Sequence, residues 1–233
     1  MIQLPLTGTN RAITINPSKI IAVGLNYRDH VKESKTFDSS NLDVPAEPVL
    51  FAKTLNVLIG PGEPIVIPGH VKEYNLPDER VDPECELAII IGKRGRHIPQ
   101  DRAFDYVLGY TCFNDVSQRN IQKSDPSGWF RGKSFDTFGP IGPVVVLHND
   151  IGDPQALQVT CKINGVLKQT GNTRDMIFSI PVLISYISKQ FTLEEGDIIA
   201  TGTPAGVSPI VPGDVVEVEV EKIGVLRNPV KAE

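Results

Sequence analysis

The feature that most constrains the fold is an apolar run at residues 87–91 (LAIII), which the chain enters through Glu84-Cys85-Glu86. A short, β-branched apolar run of this kind predicts a buried strand. Side chains two apart on a strand point to the same side, so Glu84 and Glu86 are expected to project together and Cys85 away from them. Two neighbouring carboxylates at the mouth of a buried strand repel each other, and a cation is the simplest compensation.

A third carboxylate, Asp115, ends a later apolar run and is a candidate partner of Glu84 and Glu86. Oxygen donors without histidine or cysteine at ligand spacing favour a hard ion, Mg2+, Mn2+ or Ca2+, over Zn2+. Three protein ligands leave coordination positions for water and for a chelating substrate. The alternative is an exposed strand end with two solvated glutamates, because most charged side chains are exposed.

Composition limits the class of protein. With 233 residues, 40% hydrophobic and 22% charged, the chain is long enough for one large domain and is typical of a globular protein. The 19 prolines and 20 glycines lie mostly between apolar runs, which favours many short strands joined by tight turns. A net charge of -5 argues against nucleic-acid binding. No apolar stretch reaches the length of about 18 residues that a membrane helix needs, and no signal peptide is visible, so we expect a cytoplasmic protein.

The order of apolar and polar stretches predicts an α+β fold that is predominantly β. Strands are expected near residues 2–4, 12–15, 20–24, 48–53, 65–67, 144–147, 157–163 and 215–221, and Asn164-Gly165 predicts a hairpin. A helix is expected over residues 179–190, with Ser179 as its N-cap. Residues 34–48 and 116–139 are polar and are predicted as long loops. The predicted division is an N-terminal segment of short strands and a polar stretch, residues 1–47, followed by a β-rich mixed domain over residues 48–233.

His30 and Glu33 form a candidate acid–base pair. If Asn26 caps a short helix, the two side chains lie three residues apart on one face. A carboxylate beside an imidazole fixes its tautomer and raises its basicity, which suits a general base that activates water. The same spacing is also common on ordinary surface helices.

Lys133 follows Gly132 and precedes Ser134, which resembles the end of a phosphate-binding loop. The spacing from Gly128 to Gly132 is one residue too short and no strand precedes it, so that motif is rejected. Lys133 remains a candidate buried cation facing an anion, or else a solvated loop lysine. Arg119 and Gln122 lie one turn apart if their segment is helical. The turn at residues 201–206, which contains Thr203, could hold a carboxylate or be a plain connection.

Several segments together resemble the fumarylacetoacetate hydrolase family. They are residues 23–33 (VGLNYRDHVKE), 47–53 (EPVLFAK), 84–88 (ECELA), 109–119 (GYTCFNDVSQR), 132–136 (GKSFD) and 201–207 (TGTPAGV), and they occur in the family's order along nearly the whole chain.

The resemblance implies a mixed β-sandwich roll, usually homodimeric. It implies that residues matching Glu84, Glu86 and Asp115 hold Mg2+ or Mn2+. His30 and Glu33 would activate water on a lid that orders over the substrate. Lys133 would stabilise negative charge, while Arg119, Gln122 and Thr203 would contact substrate. Two segments differ from the family: residues 70–83 are longer and more polar than usual, and Leu25 replaces an arginine of several acylpyruvate hydrolases.

The implied activity is hydrolysis or decarboxylation at a carbon–carbon bond of a small 2-oxo or β-diketo acid, such as an acylpyruvate or oxaloacetate, through a metal-stabilised enolate. An alternative is an isomerase of 2-hydroxyhepta-2,4-diene-1,7-dioate that is also a decarboxylase of 5-oxopent-3-ene-1,2,5-tricarboxylate in aromatic catabolism. A further alternative is a binding protein in which the ion only stabilises the fold.

Overall fold

The computed structural model describes residues 1–37, 44–74, 79–126 and 128–233. Its strands, in chain order, are β1 (Ile2–Pro5), β2 (Ala12–Ile15), β3 (Ile20–Gly24), β4 (Val49–Lys53), β5 (Leu58–Ile59), β6 (Ile65–Ile67), β7 (Val81–Asp82), β8 (Cys85–Ile91), β9 (Val107–Asn114), β10 (Ser117–Gln118), β11 (Gly139–Leu147), β12 (Gln158–Ile163), β13 (Val166–Asn172), β14 (Ile198–Ala200), β15 (Val215–Val220) and β16 (Gly224–Ala232). The α-helices are α1 (Arg28–Phe37), α2 (Arg119–Ser124), α3 (Phe130–Lys133), α4 (His148–Ile151) and α5 (Ile180–Gln190). Short 3-10 helices cover Leu55–Val57, Gly69–Tyr74, Gln100–Tyr106 and Thr173–Asp175.

The described strands form two large mixed sheets. One sheet has seven strands in the order β4-β3-β14-β8-β9-β11-β5, and the other has five in the order β13-β12-β15-β16-β6. Strand pairs β14–β3, β11–β5 and β16–β6 are parallel, and the other pairs within these two sheets are antiparallel. Strands β12 and β15 pack against β8 and β9, so the two sheets face each other across the core. The predicted α+β, mainly β fold is confirmed.

Strand β8 is the centre of this arrangement. All seven of its residues are buried, because β14 and β9 flank it within the sheet and the second sheet covers one face. The apolar residues 87–91 belong to one continuous core with the strands of both sheets. A strand without alternation is therefore explained by burial on both faces. The predicted strand is confirmed.

The hairpin and the long helix agree with the sequence. Asn164 and Gly165 both have positive φ, 52° and 78°, which is the geometry that a two-residue turn between β12 and β13 requires. Helix α5 begins directly after Ser179, although the Ser179 side chain makes no capping hydrogen bond. The three cysteines are free and buried, as expected for small apolar residues.

Three local predictions are wrong. Residues 34–37 belong to α1, so the predicted loop over residues 34–48 is not continuous. Residues 119–124 and 130–133 form α2 and α3, so the predicted loop over residues 116–139 is interrupted as well. Asn26 does not cap α1. Its carboxamide instead donates to the Thr201 carbonyl oxygen at 2.8 Å and accepts from the Phe178 amide at 2.8 Å, because Leu25 has a φ of 57° and turns the chain sharply after β3.

The predicted lid, about residues 30–47, includes residues 38–43, which lie outside the described residues. Strand β3 lies between β4 and β14 in the large sheet. The division of the chain at residue 47 stays a prediction. Among the described helices, none combines the length and apolarity needed to cross a membrane.

Candidate active site

Three carboxylates meet at the end of strand β8. Cys85 pairs with Asn114 across β8 and β9, and the Asp115 amide donates to the Glu84 carbonyl oxygen at 3.0 Å. The Asn114 side chain in turn accepts from the Glu84 amide at 3.0 Å. This register places one oxygen each of Glu84, Glu86 and Asp115 within 4.8 Å of one another, and all three residues are buried. The structure thus brings the three predicted ligands together.

Three cations contact two of these carboxylates. Lys133 Nζ lies 2.7 Å from both Glu84 Oε2 and Asp115 Oδ2. The other Asp115 oxygen is 2.5 Å from Lys53 Nζ, and the other Glu84 oxygen is 2.6 Å from Arg119 Nη2. The side chains of Lys53 and Lys133 are 0% and 2% exposed. Lys133 is therefore the buried cation facing an anion that the sequence suggested, and not a solvated loop lysine.

The two glutamates have opposite protonation tendencies. Burial would raise the pKa of Glu84, but the charges of Lys133 and Arg119 outweigh burial and lower that pKa. Burial raises the pKa of Glu86 well above its ordinary value, and the charges of Asp115 and Glu84 raise it further. Burial would lower the pKa of Lys133, but the charges of Asp115 and Glu84 outweigh burial and raise that pKa. Without another cation, the surroundings therefore favour the ionised form of Glu84 and disfavour the ionised form of Glu86.

A divalent ion fits this donor set. Glu86 Oε2 accepts from the Gly202 amide at 2.8 Å, and among the described residues no lysine or arginine forms an ion pair with Glu86. A buried carboxylate without a cation costs free energy unless it is protonated or binds a metal. The three carboxylates are matched in number by Lys53, Lys133 and Arg119, so a bound divalent ion would leave the site positive toward an anionic substrate.

Arg119 is fixed by a buried acid, Asp82, which the sequence analysis missed. Asp82 Oδ2 accepts from Arg119 Nε at 2.7 Å, and both Asp82 oxygens accept from Arg80 Nε at 2.8 and 3.0 Å. Pairing of β7 with β10 places Asp82 beside the start of α2. Gln122, one turn along α2, accepts from Arg119 Nη1 at 3.0 Å. The structure therefore brings Arg119 and Gln122 to the site together.

Gly132 explains how Lys133 reaches the carboxylates. A side chain at Gly132 would lie 2.7 Å from the Gln122 backbone nitrogen, so glycine allows α3 to pack directly on α2. The close approach of the two short helices sets Lys133 beside Arg119. The ring of Phe51 lies 5.2 Å from Lys133 Nζ, which adds a cation–π contact.

Aromatic side chains continue from Lys133 along one wall of the cleft. Phe51 and Trp129 pack edge to face with centroids 5.3 Å apart. A side chain at Gly24 would lie 2.2 Å from the Trp129 ring, so Trp129 rests directly on the end of β3. Trp129 is the single tryptophan of the chain, and ligand entry into the cleft is therefore reportable by its fluorescence.

His30 and Glu33 share one face of α1, as predicted. His30 Nδ1 lies 3.2 Å from Glu33 Oε2, and both Glu33 oxygens accept from the Gly206 amide at 3.0 and 3.1 Å. Burial would raise the pKa of Glu33, but hydrogen bonds from His30 and Gly206 outweigh burial and lower it. His30 is 8% exposed and lines the cleft. Because Nδ1 faces the carboxylate, Nε2 is the nitrogen left to accept a proton.

The turn at residues 201–206 connects the acid–base pair to the carboxylates. The Gly202 amide holds Glu86, the Gly206 amide holds Glu33, and the Thr203 hydroxyl donates to the Cys85 carbonyl oxygen at 3.0 Å. Thr203 lines the cleft, but its hydroxyl proton is used within the protein. The predicted substrate contact of Thr203 remains a prediction.

One cleft of about 200 Å3 is lined by most of the predicted residues. The predicted side chains that line it are those of His30, Glu84, Glu86, Arg119, Gln122, Lys133 and Thr203. Asp115 lies behind Lys133, and Glu33 behind His30. Sequence reasoning missed Lys53, Asp82 and Trp129, although Lys53 ends the segment at residues 47–53 that carried part of the resemblance.

Comparison with known proteins identifies the family. The family model described as fumarylacetoacetate (FAA) hydrolase C-terminal matches residues 19–231. A mitochondrial oxaloacetate tautomerase of Xenopus laevis is 43% identical, with 92% of this chain and 66% of the relative covered.

Solved structures agree with this match. A 5-carboxymethyl-2-hydroxymuconate delta-isomerase of Mycobacterium smegmatis is 38% identical with a TM-score of 0.81, covering 97% of this chain and 86% of the other. A maleylpyruvate hydrolase of a Sphingobium species, solved with manganese and pyruvate, is 35% identical with a TM-score of 0.76, covering 93% and 71%. These relatives are hydrolases, isomerases and tautomerases, and the chain belongs to the fumarylacetoacetate hydrolase family of enzymes.

Proposed function

We propose that the protein is a Mg2+- or Mn2+-dependent enzyme that cleaves a carbon–carbon bond in a small 2-oxo or β-diketo acid, by hydrolysis or decarboxylation. The observation that carries the proposal is that one cleft contains both the carboxylates Glu84 and Glu86 and the side chain of His30. Ca2+ satisfies the same oxygen donors and is the third candidate ion.

The ion would be held by Glu84, Glu86 and Asp115. When bound, it would supply Lewis-acid stabilisation of the negative charge that develops on the substrate's 2-oxo oxygen. Arg119, anchored by Asp82 and Gln122, contributes fixed positive charge beside Glu84. Such fixed charges need no reorganisation as the reaction proceeds. This arrangement favours an anionic substrate.

The chain's own residues can perform the proton transfers of hydrolysis. His30 Nε2 takes a proton from water, and Glu33 stabilises the charged imidazole through Nδ1. The hydroxide adds to the distal carbonyl carbon, the bond to the neighbouring carbon breaks, and His30 returns its proton to that carbon. Lys133 provides a buried ammonium group near the substrate's negative charge. Decarboxylation needs no attack by water. An ordered acid–base pair that can activate water therefore favours hydrolysis over decarboxylation.

A second candidate is an isomerase or tautomerase of 2-oxo acids. The same His30–Glu33 pair can move one proton between carbon and oxygen without breaking a carbon–carbon bond. Relatives whose names are oxaloacetate tautomerase and 5-carboxymethyl-2-hydroxymuconate delta-isomerase support this alternative.

One experiment separates these reactions. An acylpyruvate, oxaloacetate and 2-hydroxyhepta-2,4-diene-1,7-dioate are each incubated with protein and Mg2+ or Mn2+ in deuterated buffer and followed by proton NMR. Cleavage products indicate a hydrolase or decarboxylase, whereas deuterium uptake or a shifted double bond without cleavage indicates the second candidate. Turnover should stop with excess chelator. No reaction of any substrate, with Mn2+ bound, would overturn both enzymatic proposals and favour the metal-stabilised binding protein.

We also propose a homodimer, by analogy with the family expectation, and a cytoplasmic location. Light scattering coupled to size-exclusion chromatography measures the molar mass and so tests the homodimer directly. A monomeric mass at the concentrations of the activity assay would contradict it.

A further inference from the structure

We propose that Gln169 is a positioning residue of the candidate active site, which it reaches from the opposite sheet. Gln169 lies on β13, opposite Cys161 of β12, and is 1% exposed. Strand β12 packs against β8, and the Gln169 side chain crosses from one sheet to the other. This inference rests on the proposed function, because the site that Gln169 positions is the proposed ion site.

The hydrogen bonds of Gln169 join the two halves of that site. Its Oε1 accepts from the Cys85 amide at 3.1 Å. Its Nε2 donates to the Thr203 hydroxyl and to the Pro204 carbonyl oxygen, both at 2.8 Å. Removal of the Gln169 carboxamide would take this partner from the buried Cys85 amide and the Pro204 carbonyl oxygen, and a buried polar group left unpaired costs free energy.

On its β9 side, β8 stays paired through Glu86 and Cys85, but on its β14 side the sheet does not reach the segment that carries Glu84 and Glu86. Strand β14 ends at Ala200, which pairs with Ala88, so the β14 ladder stops before it reaches Glu86 and Cys85. Beyond that point the Thr203 hydroxyl donates to the Cys85 carbonyl oxygen, and Gln169 accepts from the Cys85 amide. Two side chains therefore continue the hydrogen-bonding edge of β8 past the last residue of β14.

The position of Cys85 decides the spacing of the ligands. Glu84 and Glu86 are its immediate neighbours, and the turn that Gln169 holds also carries the amides that bind Glu86 and Glu33. Moving the Cys85 backbone relative to this turn would change the distances among the carboxylate oxygens. Groups that orient ligands in this way typically change metal affinity by about 10- to 100-fold when they are removed.

The test measures Mn2+ binding without turnover, by electron paramagnetic resonance of the free ion. Gln169→Met keeps the length of the side chain but removes its hydrogen bonds, and we expect about tenfold weaker Mn2+ binding. The matched control is Gln158→Met on the other strand of the same hairpin, where Gln158 is exposed and its side-chain amide donates to Thr170 Oγ1 at 2.8 Å. This control should bind Mn2+ within about twofold of the unchanged protein. Equal affinity of Gln169→Met and the unchanged protein would overturn the inference.

A second pair of variants decides the matter if Gln169→Met does not fold. Thr203→Val removes the hydroxyl that bridges Gln169 and Cys85, whereas Thr203→Ser keeps it. Weaker Mn2+ binding by the valine variant, restored by serine, supports the inference, and unchanged binding by the valine variant contradicts it. Where Gln169→Met folds, it can be combined with Thr203→Val. The double variant should bind Mn2+ no more weakly than the weaker-binding of the two single variants, because both substitutions act through Cys85.

The outcome is distinguishable from failure of the proposed function. If the unchanged protein binds no Mn2+, the proposed function fails. If it binds Mn2+ and turns over a 2-oxo acid while Gln169→Met binds Mn2+ equally well, only the role of Gln169 is refuted.

Discussion

Glu86 lies on β8 in the interior of a seven-stranded sheet, whereas His30 lies on α1 (Arg28–Phe37), which belongs to neither large sheet. The carboxylates are buried and are held by groups from β4, α2, α3 and the turn after β14. Of the acid–base pair, Glu33 is 18% exposed at its side chain and rests on the Gly206 amide. An ion site built into a core can be preformed, while an acid–base pair on a peripheral helix depends on docking of that helix.

The first prediction concerns the buried carboxylates. Glu86→Gln keeps the size of the side chain and can still accept from the Gly202 amide, but it removes the charge that a divalent ion requires. We expect Mn2+ affinity to fall by roughly 100-fold and turnover to fall to background. Isothermal titration calorimetry measures the affinity, with the exposed Glu195→Gln as the control. Tight Mn2+ binding by the variant would show that Glu86 is not a ligand.

The same variant tests the pKa of Glu86 in metal-free protein. That pKa is raised from the ordinary 4.5 in the folded state, so the folded protein binds this proton more tightly than the unfolded protein does. Stability of the unchanged protein should therefore fall as pH rises from 4.5 through the folded pKa. Glu86→Gln removes this loss, and its stability relative to the unchanged protein should be greater at about pH 8 than at about pH 5. Urea unfolding with a chelator present measures the difference; a gap that is the same at both pH values would contradict the raised pKa.

The second prediction separates chemistry from ion binding. In His30→Asn the amide nitrogen can replace Nδ1 toward Glu33, but no atom replaces Nε2 as the base. We expect turnover to fall by about 10²- to 10⁴-fold with Mn2+ affinity unchanged. The control is His97→Asn, because His97 is exposed and its φ of 52° is one that asparagine tolerates. Loss of Mn2+ binding in His30→Asn would mean that the two regions are not independent.

The buried carboxylates were the more predictable of the two regions. Alternation along a strand places Glu84 and Glu86 on one side, and oxygen donors alone indicate a hard ion. Asp115 and Lys133 are candidates from their own segments, and the family order of those segments relates them to Glu84 and Glu86. Lys53 was missed because its partner Asp115 lies 62 residues further along the chain, and an apolar strand gives no sign of which acid its lysine will meet.

The short helices were not predictable from periodicity. Helices α2 and α3 have six and four residues, which is less than the window in which a helical pattern can be recognised. They are fixed instead by packing of Gly132 on the α2 backbone. Asn26 was assigned to the wrong partner for a similar reason. A cap is a local interaction, but its carboxamide binds Phe178 and Thr201, which are distant in sequence.

The third prediction tests the turn that joins the two regions. A side chain at Gly206 would lie 2.1 Å from the Lys168 carbonyl oxygen, and its φ is 104°. Gly206→Ala should shift the amide that holds Glu33, and we expect turnover to fall by roughly 10- to 100-fold because small displacements of acid–base groups are costly. The matched control is Gly213→Ala, where φ is 101° but no atom lies within 4 Å.

The control isolates the close approach from backbone strain. Each alanine substitution should lower the free energy of unfolding by about 1 kcal/mol, because alanine is strained in a left-handed backbone. Only Gly206→Ala should also lose turnover. Chemical unfolding and initial rates are measured on the same preparations. Equal rates for the two variants would show that Gly206 does not position Glu33.

The smallest effect is expected at Glu33. Glu33→Gln can still accept from His30 Nδ1, so it should lower turnover by about tenfold or less, and it should leave Mn2+ affinity unchanged.

The folded-state pKa of Glu33 is lowered from 4.5 because hydrogen bonds from His30 and Gly206 outweigh burial. Its ionised form therefore stabilises the fold above pH 4.5, and this contribution disappears as pH falls through the folded pKa. The unchanged protein should be slightly more stable than Glu33→Gln at about pH 7, and the gap should narrow toward about pH 3, because protonation of Glu33 removes the charge that distinguishes the two side chains. Urea unfolding at the two pH values measures the gap. A gap that persists in acid would mean that Glu33 acts through packing and not through its charge, and the acid–base pair would then lose its second member.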